Sequence, residues 1–320
     1  MENERSNVPA VDRLSSLHDS ILHHILSFLP TEESIGTSFL SKRFWRTWVF
    51  VPALKFLLNT PNDVNFVDQV IAHRSSSHVR TFSIVSEQNL GSDRLSLWVN
   101  YAVAHSVQEM EIHLNWETDL NILDHLYHCQ SLESLSLWAV LEQPLRLPDP
   151  QTPCFTNLKI LNLLLSNLYP GDSIGDLVSK CRKLEELRLG GVCFEAVNIS
   201  APNLRILELA LLHCFEIQVS CPRLEYLVLG LHEELESFHS EMPSLHRVDI
   251  EMPPINYESN LFWRQILKSV NHAAQLHFSY VDFKVRFSWS WHFIVATLTI
   301  FNSACVRHHN GFIWKPILSV

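Results

Sequence analysis

The sequence predicts an α/β chain in two parts: a short all-helical segment near the N-terminus, then a solenoid with a parallel sheet on its concave face. Three observations carry that expectation. About forty residues from Leu14 to Leu54 hold apolar side chains at helical spacing. From the middle of the chain onward a unit Leu-x-x-Leu-x-Leu recurs. Successive copies start roughly 20 to 28 residues apart, enough for one strand and one return segment each.

In the first part, Ile21, Leu22, Ile25, Leu26 and Leu29 recur at the three-to-four spacing that lines a helix face. Leu17, Ile21, Leu22, Ile25 and Leu29 are expected on one common face. Asp19 can cap the start of this helix, and Pro30 stops it, because the residue before a proline avoids the helical region. Thr31 is then a fresh N-cap, with Glu32 and Glu33 at the positive end of the next helix dipole. Ser41 begins a third short helix carrying Phe44, Trp45 and Trp48. Three helices this short and this apolar cannot close a core alone, so part of their surface must meet a partner.

The repeat units read Leu132-Glu-Ser-Leu135-Ser-Leu137, Leu158-Lys-Ile-Leu161-Asn-Leu163, Leu184-Glu-Glu-Leu187-Arg-Leu189, Leu204-Arg-Ile-Leu207-Glu-Leu209 and Leu224-Glu-Tyr-Leu227-Val-Leu229. A degenerate copy follows from Leu245 to Ile250, and weaker ones precede at Val79 to Ile84 and Val107 to Ile112. Each alternating Leu-x-Leu predicts a short strand with one face buried. The longer units leave room for a helix on the convex side, and helical patterns sit there: Phe66, Val67, Val70 and Ile71; Leu120, Leu123 and Leu126; Ile174, Leu177 and Val178. The units at Leu204 and Leu224 are too short for a helix, so Val197–Asn203 and Ile217–Arg223 are expected as extended segments ending in a proline turn.

Residues between and beside the leucines face outward, which allows the open face of the sheet to be written down directly. Ser134, Ser136, Asn162, Glu186, Gly190, Glu208, Arg247 and Asp249 fall on it, among larger neighbours. Trp138, Ile160, Leu164, Arg188, Ile206, Tyr226 and Val228 are the candidate target-binding residues, since a merely solvated face has no reason to display so much apolar area in one row. Trp138, Tyr226 and Arg188 are the expected hot spots by residue type.

Composition narrows the function classes. With 320 residues, 47% of them hydrophobic, the chain can bury a large core. A net charge of −10 argues against nucleic acid as a partner. Met1 to Pro9 is polar, with no apolar run of a secretory signal, and the seven cysteines form no compact framework, so a cytoplasmic or nuclear location is expected. No phosphate-loop or nucleophile-elbow motif occurs among the 8 glycines. His125 and His128 share a helix face with Asp124 but lack further convergent ligands, so no metal is expected. Cys129, Cys181 and Cys221 precede repeat leucines at one interval and read as small core residues. No catalytic residue and no cofactor are assigned, and no membrane partner is expected. Val281 to Phe293 alternate strictly, as a long strand would, and Ile294 to Val320 shows no repeat unit; the segment 276–320 is expected to be atypical or truncated.

Residues 10–55 resemble an F-box. The Leu14-x-x-Leu17 opening, Ile25-Leu26-Ser27-Phe28-Leu29-Pro30 and Leu40-Ser41-Lys42-Arg43-Phe44-Trp45 match that family as it occurs in plant proteins, with Leu17-His18 where Leu-Pro is usual. Residues 56–275 resemble the leucine-rich repeats of plant F-box proteins, down to the Cys-Pro or Ala-Pro ahead of the repeat leucine. The resemblance implies docking onto a Skp-type adaptor and through it a cullin, in a ubiquitin ligase whose catalysis lies elsewhere. On that view Leu17, Ile21, Leu22, Ile25, Leu29, Pro30, Leu40 and Trp45 are the candidate adaptor-binding residues, and the repeats hold a protein target. A repeat scaffold with no ligase role and a small-molecule-assisted receptor are the alternatives.

Overall fold

The structure, a computed structural model, describes residues 14–280 except 15, 42, 75–77, 119–122, 142–154, 166–171, 192–193, 212–213, 232–234 and 253–259. The helical segment consists of α1 (Asp19–Leu26), α2 (Thr31–Gly36) and α3 (Phe44–Thr47), with 3₁₀ turns at Thr37–Phe39 and Trp48–Phe50. Its own core is small: Leu22, Leu26, Phe44, Val51 and Ala53, with Leu17 and Leu29 packed on it. Two of the expected caps differ. Asp19 is the first helical residue rather than the cap, and His18 Nδ1 accepts from Ser20 N instead. Asp19 is engaged by Arg43, which also reaches the Leu17 carbonyl and so ties α3 to the start of α1. Thr31 is buried and its hydroxyl accepts from Lys55 N at 2.8 Å, so it joins α2 to the sheet rather than capping a helix.

The remainder is a parallel solenoid. Its strands are β1 (Ala53–Leu58), β2 (Thr81–Ser86), β3 (Glu109–Thr118), β4 (Ser134–Leu141), β5 (Ile160–Leu165), β6 (Glu186–Gly191), β7 (Phe194–Ser200), β8 (Ile206–Leu211), β9 (Cys214–Ser220), β10 (Tyr226–Leu231), β11 (Ser237–Glu241), β12 (Arg247–Met252) and β13 (Gln275–Tyr280). Helices α4 (Pro61–His73), α5 (Ser92–Ala104), α6 (Leu123–Leu126), α7 (Asp172–Lys180) and α8 (Asn260–Ser269) return the chain between strands. A ten-stranded sheet runs β1-β2-β3-β4-β5-β6-β8-β10-β12-β13, and the described pairings are all parallel. In the 20-residue units the return segments are strands rather than helices, and they pair into a second sheet, β11-β9-β7.

Register explains the core. Leu135, Leu161, Leu187, Leu207 and Leu227 are successive partners on neighbouring strands, and Leu137, Leu163, Leu189, Leu209 and Leu229 form a second such row. All are buried, each worth about 1.5–3 kcal/mol against an exposed side chain. A single repeat could not cover these leucines, so stacking is what holds the strand in place. The turns are stitched the same way: Asn157 Nδ2 donates to Gln130 O, Asn203 Nδ2 to Arg182 O and Ser244 Oγ to Pro222 O, each reaching back one repeat.

Helices α4 and α7 lie where the apolar spacing put them, and α4 is held by Pro61 at its start and by Asp63, which accepts from Thr60 N at 2.8 Å. In the Leu120, Leu123 and Leu126 pattern the described helix is Leu123–Leu126, so His128 lies past the end of α6 and does not share a helix face with His125; Leu120 lies outside the described residues. The sheet extends beyond the repeats read from sequence, since β13 adds a strand at Gln275–Tyr280 after an unforeseen helix α8. Val281 to Val320, including the alternating stretch to Phe293, lies outside the described residues.

Candidate functional site: two interaction surfaces

The helical segment divides its apolar residues between two faces. Leu22, at 1% exposure, and Leu26 point into the small core, whereas Ile21 and Ile25 stand out at 47% and 39%. The single face expected for Leu17, Ile21, Leu22, Ile25 and Leu29 is therefore two adjacent stripes. Ile21, Ile25 and Phe28 line the outer one, while Leu22, Leu26 and Leu29 line the inner one, because i, i+3, i+4 and i+7 positions share a side and i+1 falls next to it. Leu22 is in the core, and Leu17 and Leu29 pack against it half-buried. Pro30 is exposed, and so are Leu40 and Trp45, at 70% and 66%. Around Trp45 lies a shallow hollow lined also by Ser38, Phe39, Ser41 and Arg46. Leu14, Phe28, Phe39 and Phe50 are exposed too and were not picked from sequence. Phe28 continues the Ile21–Ile25 spacing, but Phe39 and Phe50 sit on short 3₁₀ turns with no periodicity to betray them.

This segment is clamped to the solenoid. Beside the Thr31 bond, the buried Arg74 donates from Nη1 to Val51 O at 2.9 Å, and Ile35 and Trp48 pack against the main core. Burial lowers the pKa of Arg74 from its ordinary value.

The open face of the ten-stranded sheet carries the second set. Trp138, Ile160, Leu164, Ile206, Tyr226 and Val228 are half-buried there, and Arg188 is exposed. One row across the strands reads Leu57, Val85, His113, Trp138, Leu164, Gly190, Ala210, Gly230 and Glu251, bulky and mostly apolar at one end and small at the other. His113 stacks edge-on against Trp138, 5.3 Å between ring centroids, and burial holds its imidazole pKa below the ordinary value. Gly190 is buried because the Leu164 side chain lies over it.

Two of the expected hot spots are already engaged within the chain. Tyr226 donates to Asp249 Oδ2 at 2.6 Å beneath the Arg247 guanidinium, and burial together with that carboxylate pushes its pKa up to about 12. Burial opposes the charge on Asp249, but bonds from Arg247 and Tyr226 outweigh it and hold its pKa below the ordinary value. Arg188 pairs with Glu186 at 2.7 Å and Glu208 at 3.4 Å. Burial raises the pKa of Glu208 and of Glu251, the latter pushed further by Glu208 and Asp249. Glu251 was not singled out from sequence, although it continues the Val248-x-Ile250 alternation by one residue.

Among the described residues no group of His, Cys, Asp and Glu could hold a metal ion, and no helix is long and apolar enough to cross a membrane. Among the described residues, Cys129, Cys181, Cys214 and Cys221 are buried thiols. Burial pushes the thiols of Cys214 and Cys221 up to about 11, which is the opposite of an activated nucleophile.

Two families match the chain. The F-box domain family matches residues 14–44, and the family described as "FBD-associated F-box protein At5g56370, LRR repeats" matches residues 95–252. Among curated proteins of Arabidopsis thaliana, F-box/LRR-repeat protein At4g14103 is 31% identical over 209 residues, 61% of this chain and 54% of its own length. F-box/FBD/LRR-repeat protein At5g56420 is 30% identical over 264 residues, 75% of this chain and 55% of its own length. F-box/LRR-repeat protein At3g26922 is 27% identical over 296 residues, 87% of this chain and 92% of its own length. The chain thus spans about half the length of the first two relatives.

Proposed function

We propose that this chain, whose F-box domain and leucine-rich repeats are similar to those of plant F-box/LRR-repeat proteins, is a substrate-recognition adaptor of a Skp-cullin-F-box ubiquitin ligase. The F-box meets a Skp-type adaptor, the repeats hold a protein target, and catalysis is supplied by other subunits. Such a protein works by proximity: a target tethered beside the ubiquitin-charged enzyme is modified at a high effective concentration. Families of this kind are typically adaptors rather than enzymes, and no catalytic residue is assigned here.

The observation that best supports this reading is the exposed apolar set of the F-box. Ile21, Ile25, Phe28, Phe39, Leu40 and Trp45 stand in solvent on a segment whose own core holds only five buried residues. Apolar area of that extent on so small a unit is the signature of a surface that a partner covers. The clamp at Thr31 and Arg74 supports the same reading, since a target on the sheet is then held at a fixed distance from the adaptor. Buried thiols agree with action in a reducing compartment, the cytoplasm or nucleus.

Co-expression with a plant Skp-type adaptor tests the proposal. The two chains should co-elute from a sizing column as one complex, and adding the cullin should bring it into the same peak. A chain that stays alone when folded and in excess adaptor sinks the ligase reading and leaves a repeat scaffold.

A further inference from the structure

The open face of the sheet is not uniform, and the place where it changes character has a defined shape. Leu164 on β5 leans over Gly190 on β6, so closely that a Cβ on Gly190 would stand 2.4 Å from Leu164 Cδ2. From the other side, Glu251 on β12 leans over Gly230 on β10, where a Cβ would be 3.4 Å from its Oε2. Between them lies Ala210 on β8, with Glu208 two residues earlier on the same strand and the same face. The result is a trough about two strand spacings wide, about 9–10 Å. It has an aliphatic wall over Gly190, a floor at Ala210, and a carboxylate wall over Gly230.

We propose that this trough seats a lysine or arginine side chain of an extended segment of the protein target, with its methylene stem along Leu164 and Ala210 and its cation at Glu251 and Glu208. The inference rests on the target-binding half of the function proposed above, and adds the chemistry of the target. Long basic side chains are built for such a site, because the stem is apolar and only the tip is charged. Charge complementarity selects the occupant. Glu208 has a half-share in Arg188, which it divides with Glu186, but among the described residues no cation pairs with Glu251. Burial penalises both carboxylates, and Glu208 and Asp249 make the charge on Glu251 costlier still. A cation at this point offsets both effects. An apolar or acidic occupant would leave Glu251 desolvated and uncompensated, and Glu208 with only its share of Arg188.

The same row supplies the second contact. Trp138 on β4 stands three strands from Ala210, about 14 Å along the face at the usual strand spacing. Extended chain covers that in about four residues. The preferred target segment therefore carries a bulky apolar residue about four positions from its lysine or arginine.

A random peptide display library, selected on the full chain, tests this. Enrichment of lysine or arginine with a bulky apolar residue about four positions away supports the inference, provided two losses accompany it. The affinity of a selected synthetic peptide, read by fluorescence anisotropy, should fall about tenfold for Glu251→Gln and about tenfold when its basic residue becomes Gln. Combining the two changes should cost little more than either alone. Enrichment of acidic or uncharged peptides, no enrichment at all, or indifference to Glu251→Gln overturns it. Glu251→Gln should melt no earlier than the wild type, which excludes misfolding as the cause of a loss. The two readings fail separately. A chain that captures the adaptor, and whose selected peptides depend on Trp138 but not on Glu251, refutes this inference alone. A chain that selects basic peptides but never captures the adaptor refutes the ligase reading alone.

Discussion

Leu22 and Ile25 are one turn apart on α1, both apolar, and the structure gives them opposite work. Replacing Leu22, 1% exposed, with Ala removes one of the four large side chains that fill the F-box core. A buried Leu→Ala change costs about 2–5 kcal/mol, and so small a cluster has little left to collapse into the cavity. Ile25 is 39% and Trp45 66% exposed, so much of their apolar area is already in water. Ala at those two positions should cost the folded chain about 1 kcal/mol each or less. At an adaptor interface, however, truncating a central anchor costs about 2 kcal/mol, close to thirtyfold in affinity for each residue. The assay is paired: hydrogen exchange across Asp19–Leu26 reports F-box stability, and titration with Skp-type adaptor reports docking. Leu22→Ala should lose protection in the free chain. The Ile25→Ala, Trp45→Ala pair should keep protection and lose binding. Wild-type adaptor affinity in that pair, or full protection in Leu22→Ala, would refute the division of the two faces.

Three further outcomes follow from the packing. A Cβ on Gly175 would stand 2.3 Å from the backbone oxygen of Asn198, which cannot swing aside, so Gly175→Ala must push α7 off β7. It should cost about 1–3 kcal/mol in urea unfolding, despite the better helix propensity of alanine. Burial, Glu208 two strands across on β8 and Asp249 on its own strand raise the folded-state pKa of Glu251, so its contribution to stability is present below the ordinary value of 4.5 and is lost as pH rises through the folded value. Glu251→Gln should therefore raise the melting temperature at neutral pH and make no difference at pH well below 4.5, as a pair of melting curves will show. Cys214 and Cys221, with thiols near pKa 11, should resist iodoacetamide in the native chain at mildly alkaline pH and react on unfolding, as mass spectrometry of the labelled peptides reports.

Much of the molecule is determined by sequence alone, because repetition makes local signals cumulative. A lone Leu187-x-Leu189 says little, but the same pattern at Leu161, Leu207 and Leu227 can bury its leucines only by parallel stacking, and the register obeys this. The spacing of the units likewise decided where a helix could not fit, at Val197 and Ile217. It did not show that those return segments pair with one another as β7 and β9. Tertiary structure decided the rest, wherever one pattern allowed two outcomes. The apolar run of α1 is wide enough for two faces, and only the packing of Phe44 and Val51 against Leu22 and Leu26 settles which one is inside. Thr31 looks like a cap until Lys55 N claims its hydroxyl. Strand β13 lacks the leucine repeat, yet finds its place because β12 leaves a parallel edge open beside it. The trough between Leu164 and Glu251 depends on residues 87 positions apart in sequence leaning toward a common strand. No local pattern records that, since it is a property of the rows across the sheet and not of any one repeat.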